Sequence, residues 1–313
     1  MSAPIPPVTE PPLLICNPLA GGGRARIVPR LVAALRGRGV EPVVAETARP
    51  GDATRLAREA VERDGRRFVV AVGGDGTVNE VVNGLIDAET GRPRAEDLVL
   101  GIVPGGTGCD LTRTFGLNRP PEQLAEHLTG TGTFPIDVGR IHLLGRDGEP
   151  TTRLFVNIAE AGYGALVTDL ANRLPRRLGT ARYAAGILGA VARFRLVSTT
   201  VGFDHDEVTH ELSNVVVANG QFFGGGLQVA PRALPDDGRF NLQVWRGRPL
   251  DVLRASSSLR QGRHLARDDV HEWQSAEVRV ESARPLLVEA DGEVLGTTPA
   301  RFEILSRVIT LRI

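Results

Sequence analysis

A two-part architecture is predicted: a parallel-sheet α/β domain followed by an antiparallel β-sandwich. Three observations predict it. The first third of the chain alternates short apolar runs with stretches of helical periodicity. The remainder turns to closely spaced apolar strands punctuated by Asp-Gly pairs. The length, 313 residues, also exceeds the usual span of one domain, about 100–200 residues.

In chain order, Leu13–Cys16 reads as a short buried strand followed by a Gly-rich turn. Val28, Leu31, Val32 and Leu35 then share one helical face. Val40–Ala45 reads as the next strand, and Asp52 as the N-cap of a helix that turns Leu56, Ala60 and Val61 inward. Phe68–Val72 is a continuous apolar strand, Gly73–Thr77 a turn, and Val78, Val81, Val82 and Leu85 a helical face. Leu98–Val103 is another strand, ending at Pro104-Gly105-Gly106. Such alternation implies a parallel sheet covered by helices on both faces.

Beyond about Phe134 the strands follow one another directly. They are Ile136–His142, Leu154–Ala159, Leu196–Phe203, Val208–Ala218, Phe240–Trp245, Ala276–Glu281, Leu286–Glu289 and Val308–Ile313. Asp147-Gly148, Asp237-Gly238 and Asp291-Gly292 supply turns of hairpin type. One helical insertion, Tyr163 to Arg195, interrupts this run. The domains are therefore set at 1–134 and 135–313, with a return of the last strand to the first domain left open.

Composition narrows the chemistry. Formal net charge is +0, which gives no support to a general nucleic-acid affinity. All 37 basic residues are Arg, so no P-loop lysine is available, and any phosphate must be held by backbone N–H groups, hydroxyls, Arg or metal. Two cysteines, Cys16 and Cys109, are too few for a disulfide framework and fit a reducing, cytoplasmic setting. No run approaches the roughly 20 apolar residues of a membrane span. A lipid substrate would have to be reached peripherally, from the water side.

Three loops carry the candidate site. Gly73-Gly74-Asp75-Gly76-Thr77-Val78-Asn79 follows an apolar strand and opens a helix. Glycine there lets backbone approach a ligand, and a helix start offers free N–H donors to phosphate. Pro104-Gly105-Gly106-Thr107-Gly108-Cys109-Asp110 repeats the pattern, as does Asn17-Pro18-Leu19-Ala20-Gly21 after the first strand. In a parallel sheet all three leave the same edge.

These loops resemble those of the diacylglycerol kinase-like lipid kinases, a group that includes bacterial diacylglycerol kinases and sphingosine and ceramide kinases. The resemblance extends through Asp137-Val138-Gly139, Phe155–Gly164, Val217–Gly226, Ala230-Pro231, Pro235–Gly238 and Asp291-Gly292-Glu293. It implies ATP contacts from Asn17, Pro18, Leu19, Ala20, Gly21, Thr47, Gly73, Gly74, Asp75, Gly76, Thr77, Val78, Asn79 and Thr107. It implies a magnesium (Mg2+)–water network at Asp75, Asp110 and Asp137. It implies a second, structural metal loop using Asp237 and the carbonyls of Leu234 and Arg239. Glu293 is the implied general base, with Asp291 the alternative. The chain departs from the family pattern at Cys109, where Asn is frequent, and at Gly22, where a basic residue is frequent.

The expectation is an ATP- and magnesium-dependent kinase, with Asp75 and Glu293 the principal catalytic residues. It phosphorylates the primary hydroxyl of a lipid at the membrane surface, diacylglycerol first, with a sphingoid base or phosphatidylglycerol as other acceptors. The lipid is expected between the domains. The alternatives are an NAD kinase-like enzyme and a non-catalytic nucleotide or lipid sensor. Arg173, Arg176, Arg177, Arg182, Arg193 and Arg195 surround Tyr183, Ile187, Leu188 and Val191, a segment suited either to an anionic membrane or to a solvated helix packed on the sandwich. Whether the chain acts alone or as a homodimer stays open at this stage.

Overall fold

The computed structural model describes residues 10–18, 27–105, 109–175, 178–179, 181–254 and 256–313. It forms two compact units: the chain up to Val138 together with Leu305–Ile313, and Gly139–Ile304.

The first unit contains β1 (Leu13–Cys16), α1 (Ile27–Arg36), β2 (Val43–Glu46), α2 (Asp52–Glu62), β3 (Phe68–Gly73), α3 (Asp75–Leu85), β4 (Val99–Pro104), α4 (Leu111–Thr114) and α5 (Pro121–Thr129). β1, β3 and β4 are buried at every position, as uninterrupted apolar runs inside a parallel sheet must be. β2 pairs only with β1 and leaves Val43 and Val44 41% and 42% exposed, marking it as the edge. The order is β2-β1-β3-β4, all parallel, and Thr310 and Leu311 of the C-terminal segment add a parallel strand beside Val99 and Leu100. From β1 the chain steps outward to β2, then crosses back to β3 on β1's other side. The strand order thus reverses between β1 and β3, and at such a switch point a crevice opens at the strand C-termini.

Helices pair as α1 with α5 and α2 with α3. Gly84 permits the second pairing, since a Cβ there would collide with Ala57 of α2 at 2.7 Å. Asp52 is not the expected N-cap. Gly51, in the left-handed region at φ 85°, occupies that position, and Asp52 begins the helix and accepts from the N–H groups of Ala48 and Arg49 (2.9 and 3.1 Å). It braces the loop before the helix.

The second unit is antiparallel. It takes the rest of β5 (Thr133–Gly145), then β6 (Pro150–Phe155), β7 (Ile158–Gly162), α6 (Tyr163–Asn172), α7 (Ala181–Arg193), β8 (Val197–Phe203), β9 (Asp206–Leu212), β10 (Asn214–Ala218), β11 (Phe240–Trp245), β12 (Val270–Ser275), β13 (Glu277–Ser282), β14 (Leu287–Ala290) and most of β15 (Glu293–Arg312). One path runs β12-β11-β10-β7-β14-β15 and another β9-β8-β13-β15. The core centres on Phe155, stacked on Phe240 with ring centres 5.6 Å apart and edge-on to Phe302 at 6.4 Å. Gly139 is glycine because a Cβ would lie inside the Phe155 ring.

Several expected elements are divided. Leu154–Ala159 is two strands, because the N–H groups of Val156, Asn157 and Ile158 turn to the carboxylate of Asp291. Val208–Ala218 breaks at Ser213, whose N–H bonds Trp245 O (2.9 Å) and whose carbonyl accepts from Tyr163. The insertion Tyr163–Arg195 is two helices, α6 and α7. Helix α5 and strand β12 were not anticipated. For α5 the cues were present, with Pro121 at its start and Leu124, Ala125 and Leu128 buried.

Candidate active site

The rim of the first unit is stitched loop to loop. Asn17 N–H donates to Val72 O (3.1 Å), joining the exit of β1 to β3 across the switch point. Thr47 N–H donates to Cys16 O (2.9 Å), placing Thr47 on the same edge. Gly105 N–H donates to Gly73 O (2.7 Å), and a Cβ at Gly105 would come within 2.9 Å of Gly73 Cα. Pro18 follows Asn17 and is exposed. Leu19, Ala20, Gly21 and Thr107 lie outside the described residues.

The glycines of the central loop divide by physical cause. A Cβ at Gly73 would strike the Thr77 side chain (2.6 Å to its Cβ), so internal packing requires glycine there. At Gly74 and Gly76 a Cβ would meet no atom of the described residues within 4 Å, and neither has positive φ. Packing among the described residues does not demand glycine at these two positions, and the missing Cβ leaves the backbone open to close approach. Both sit at the start of α3, where the helix presents positive dipole character. Thr77 packs on Gly73, and Val78 is fully buried with its N–H bonded to Gly74 O (3.2 Å). Asn79 is held by Asn83, whose Nδ2 donates to Asn79 O and Oδ1 at 2.9 and 3.1 Å.

Asp75 ties the second loop to the third. Its Oδ2 accepts from Asp110 N–H (2.9 Å) and its Oδ1 from Leu111 N–H (3.1 Å), so one carboxylate caps the start of α4 from another loop. Asp110 sits at the cap position but makes no side-chain cap bond, and its Oδ1 accepts from Arg113 Nε (3.2 Å). Asp137 is fully buried and accepts from the N–H of Arg307 (2.6 Å), which adopts φ 51°. Burial, and then the negative charge of Asp75, push the Cys109 thiol well up. Burial does the same for Cys16, to about 12. Neither thiol is a nucleophile at neutral pH.

In the second unit, Asp291-Gly292 forms the two-residue turn between β14 and β15, with φ 50° and 85°. Positive φ at both positions is what the twist-matched hairpin turn needs. Asp291 accepts three backbone N–H bonds from Val156, Asn157 and Ile158 at 2.9, 3.0 and 3.2 Å. Glu293 begins β15 opposite Ala290 and is exposed.

The first 130 or so residues of this arrangement match the diacylglycerol kinase catalytic domain, over residues 11–141. Residues 157–313 match the YegS C-terminal NAD kinase beta sandwich-like domain. A diacylglycerol kinase of Mycobacterium tuberculosis is 31% identical over 290 residues, covering 91% of this chain and 89% of its own. The chain belongs to the diacylglycerol kinase-like lipid kinases. It is an enzyme, a kinase. A Chromohalobacter salexigens chain named as a YegS-like lipid kinase is 33% identical over 273 residues, covering 84% of this chain and 80% of its own. Two Bacillus anthracis crystal structures carrying the diacylglycerol kinase name superpose with TM-scores of 0.75 and 0.70, at 25% and 22% identity, over 97% of this chain and 96% of theirs. A yeast NADH kinase shares the fold alone, at TM-score 0.53 and 9% identity. Among the described residues of this lipid kinase, no helix is long and apolar enough to cross a membrane.

The expected metal groups differ from one another. Among the described residues no three or more His, Cys, Asp or Glu converge to hold an ion directly. Asp75 and Asp110 are neighbours, whereas the Asp137 carboxylate engages Arg307. This donor set suits a magnesium ion that keeps most of its waters rather than a closed carboxylate cage. In the second loop, Asp237 accepts from Arg239 N–H (2.9 Å) and Leu234 is exposed. The Arg239 guanidinium reaches Asp204 (3.2 Å).

Sequence reasoning missed one feature of the second unit. Glu160 of β7 and Glu289 of β14 face each other across an antiparallel pair, at 4% and 0% exposure. Burial raises both carboxyls, Glu160 to about 7 and Glu289 well above its ordinary range, the latter further through the charges of Glu160 and Asp291. An acid inside each of the apolar runs Phe155–Ala161 and Leu286–Ala290 was the available cue.

Proposed function

We propose that this chain transfers the γ-phosphate of ATP to the primary hydroxyl of a membrane lipid, with diacylglycerol the leading acceptor. The observation that carries the reading is the rim at the switch point, where a Cβ at Gly74 or Gly76 would meet no described residue and Asp75 bonds the neighbouring loop. Relatives across nearly the whole chain carry the diacylglycerol kinase name, and the acceptor is carried over from them.

In this mechanism the loops at Asn17–Gly21, Gly73–Asn79 and Thr107 hold the nucleotide, with Thr47 at the edge of the cradle. Backbone N–H groups replace the absent lysine as phosphate donors. Asp75 fixes the geometry of two loops at once, and with Asp110 and Asp137 it would hold a magnesium ion, which would supply neutralisation of charge on the phosphates. Glu293 accepts the proton of the lipid hydroxyl as its oxygen attacks the γ-phosphorus in line, the bond to the bridging oxygen breaks, and ADP departs. Asp291 is not the base in this reading, because three N–H bonds already engage its carboxylate.

The lipid is reached at an anionic bilayer surface. Between Asp169 and Asp204 the chain has six arginines and no acidic residue, in a protein of zero net charge. Helix α7 buries Gly186 and Ala190 and leaves Leu188 65% exposed. Leu178 is 46% exposed nearby, while Arg176 and Arg177 lie outside the described residues. Binding to phosphatidylglycerol vesicles is expected to weaken as salt is raised, read by sedimentation.

The deciding experiment offers radiolabelled ATP, magnesium, diacylglycerol in mixed vesicles and NAD together. Label in phosphatidic acid supports the reading. Label only in NADP transfers the chain to the NAD kinases. ATP binding without transfer to any lipid of a broad panel makes it a sensor.

A further inference from the structure

The buried acid pair lies directly beneath the turn that carries the proposed base. Glu289 precedes Asp291 by two residues, and its Oε2 accepts from Gly292 N–H (3.0 Å). Glu160 Oε1 accepts from Asn214 Nδ2 (2.7 Å), and Asn214 Oδ1 accepts from Gly164 N–H (3.1 Å). Each carboxyl therefore has one oxygen bound to a fixed donor. The other two oxygens, Glu160 Oε2 and Glu289 Oε1, are buried and find no donor elsewhere among the described residues. Buried acceptors without a donor are costly, and two carboxylates side by side cannot both stay ionised in an apolar interior. One hydrogen between the two side chains satisfies both oxygens.

The surroundings are shaped to hold the pair. A Cβ at Gly164 would overlap the Glu160 carboxylate, at 2.6 Å from Oε1, so glycine at 164 makes room for it. A register shift between Val288 and Glu289 in the β14–β15 pairing re-aims the Glu289 side chain. Among the described residues no cation bonds or pairs with either carboxyl. On α6, Asp169 is taken by Arg173 (2.6 Å) and Arg146 (3.7 Å). The remaining titratable groups that feel the pair are Asp291, whose charge opposes ionisation of Glu289, and Tyr163, pushed up to about 12 by burial and by Glu160. Asn172 Nδ2 adds a bond to Gly292 O (3.2 Å), so the turn is held from both sides.

We propose that Glu160 and Glu289 share one proton and thereby act as positioning residues, fixing Gly292 and through it the strand start at Glu293. The inference rests on the reading of Glu293 as the base. Both carboxyls hold protons above their ordinary range, so the folded chain binds more protons than the unfolded one. Their stabilisation is complete below the ordinary carboxylate value, shrinks as pH rises between that value and the raised ones (about 7 for Glu160, higher still for Glu289), and is gone above them. Loss of the shared proton forces the two carboxylates apart and slackens the turn.

The test compares wild type with Glu289→Gln, Glu160→Gln and Glu289→Leu. Glutamine at either position brings its own N–H donor, so it reproduces the shared hydrogen without titrating. Leucine fills the space but cannot accept from Gly292. Infrared spectra of the wild type at neutral pH are expected to contain a protonated-carboxyl band that Glu289→Gln removes. The fall in unfolding midpoint as pH rises from the ordinary carboxylate range through about 7 is expected to be smaller in both Gln variants, where one of the two titrating carboxyls is gone. The alkaline limb of the kcat profile for diacylglycerol moves up by about one pH unit or more in Glu289→Gln. Glu289→Leu lowers kcat by about tenfold with KM for ATP little changed.

An unshifted kcat profile in both Gln variants overturns the positioning role and leaves the kinase reading standing. Absence of the carboxyl band in wild type overturns the shared proton, including where Glu289→Leu fails to fold. A wild type that phosphorylates no lipid removes Glu293's role and the positioning claim with it, while the band and the unfolding slope still decide whether the proton is shared.

Discussion

The rim of the first unit and the Asp291 turn of the second are both built on glycine and aspartate, yet they use them oppositely. At the rim, Asp75 caps a neighbouring loop, and a Cβ at Gly74 or Gly76 would meet no atom of the described residues. At the turn, Asp291 reaches inward to gather three N–H groups, and a buried pair of acids lies beneath it. The rim is therefore a surface of donors suited to anions. In the proposed mechanism the turn is the place where protons are held and released. Charge of one sign serves two purposes because one site is open and the other is dry.

The strongest challenge to this contrast is loss of chemistry at each site. Glu293→Gln is expected to reduce kcat by about 10²–10⁴-fold with an unchanged melting temperature, since Glu293 is exposed. Asp75→Asn is expected to lose most activity while remaining folded, and steady-state kinetics should show a rise in KM for ATP that Glu293→Gln lacks. Full activity in either variant removes that residue from its role.

Stability separates the sites next. Asp291→Ala leaves three N–H groups without their acceptor and should cost about 3 kcal/mol or more in urea unfolding. A smaller effect distinguishes neighbouring glycines. Gly73→Ala should cost roughly 1–3 kcal/mol through collision with Thr77. Gly74→Ala and Gly76→Ala should lie within about 1 kcal/mol of wild type yet bind ATP at least about tenfold more weakly by calorimetry. Equal destabilisation at all three would mean that internal packing alone explains the loop. The smallest expected effect is at the thiols. Cys16 and Cys109, buried and pushed up, should resist alkylation in the native state at neutral pH.

Legibility in the sequence followed the range of the interactions. The glycine loops could be read because a strand, a turn and a helix start are local events with local residue requirements. Phe240–Trp245 and Leu13–Cys16 were read to the residue for the same reason. Where a side chain from far along the chain intervened, the reading failed. Asp291 splits the expected strand Leu154–Ala159 from 133 residues away by binding Ile158 N–H. Asp52 looks like a helix cap from its neighbours, but its carboxylate turned to the preceding loop.

By itself the sequence determined the two fold classes and the membership of the family, because periodicity and turn chemistry are written in adjacent residues. Only the tertiary structure decided the strand order that puts β1 beside β3, the capping of one loop by Asp75 of another, and the meeting of Glu160 with Glu289. Those depend on which strands become neighbours, and burial then changes what each carboxyl does with its proton.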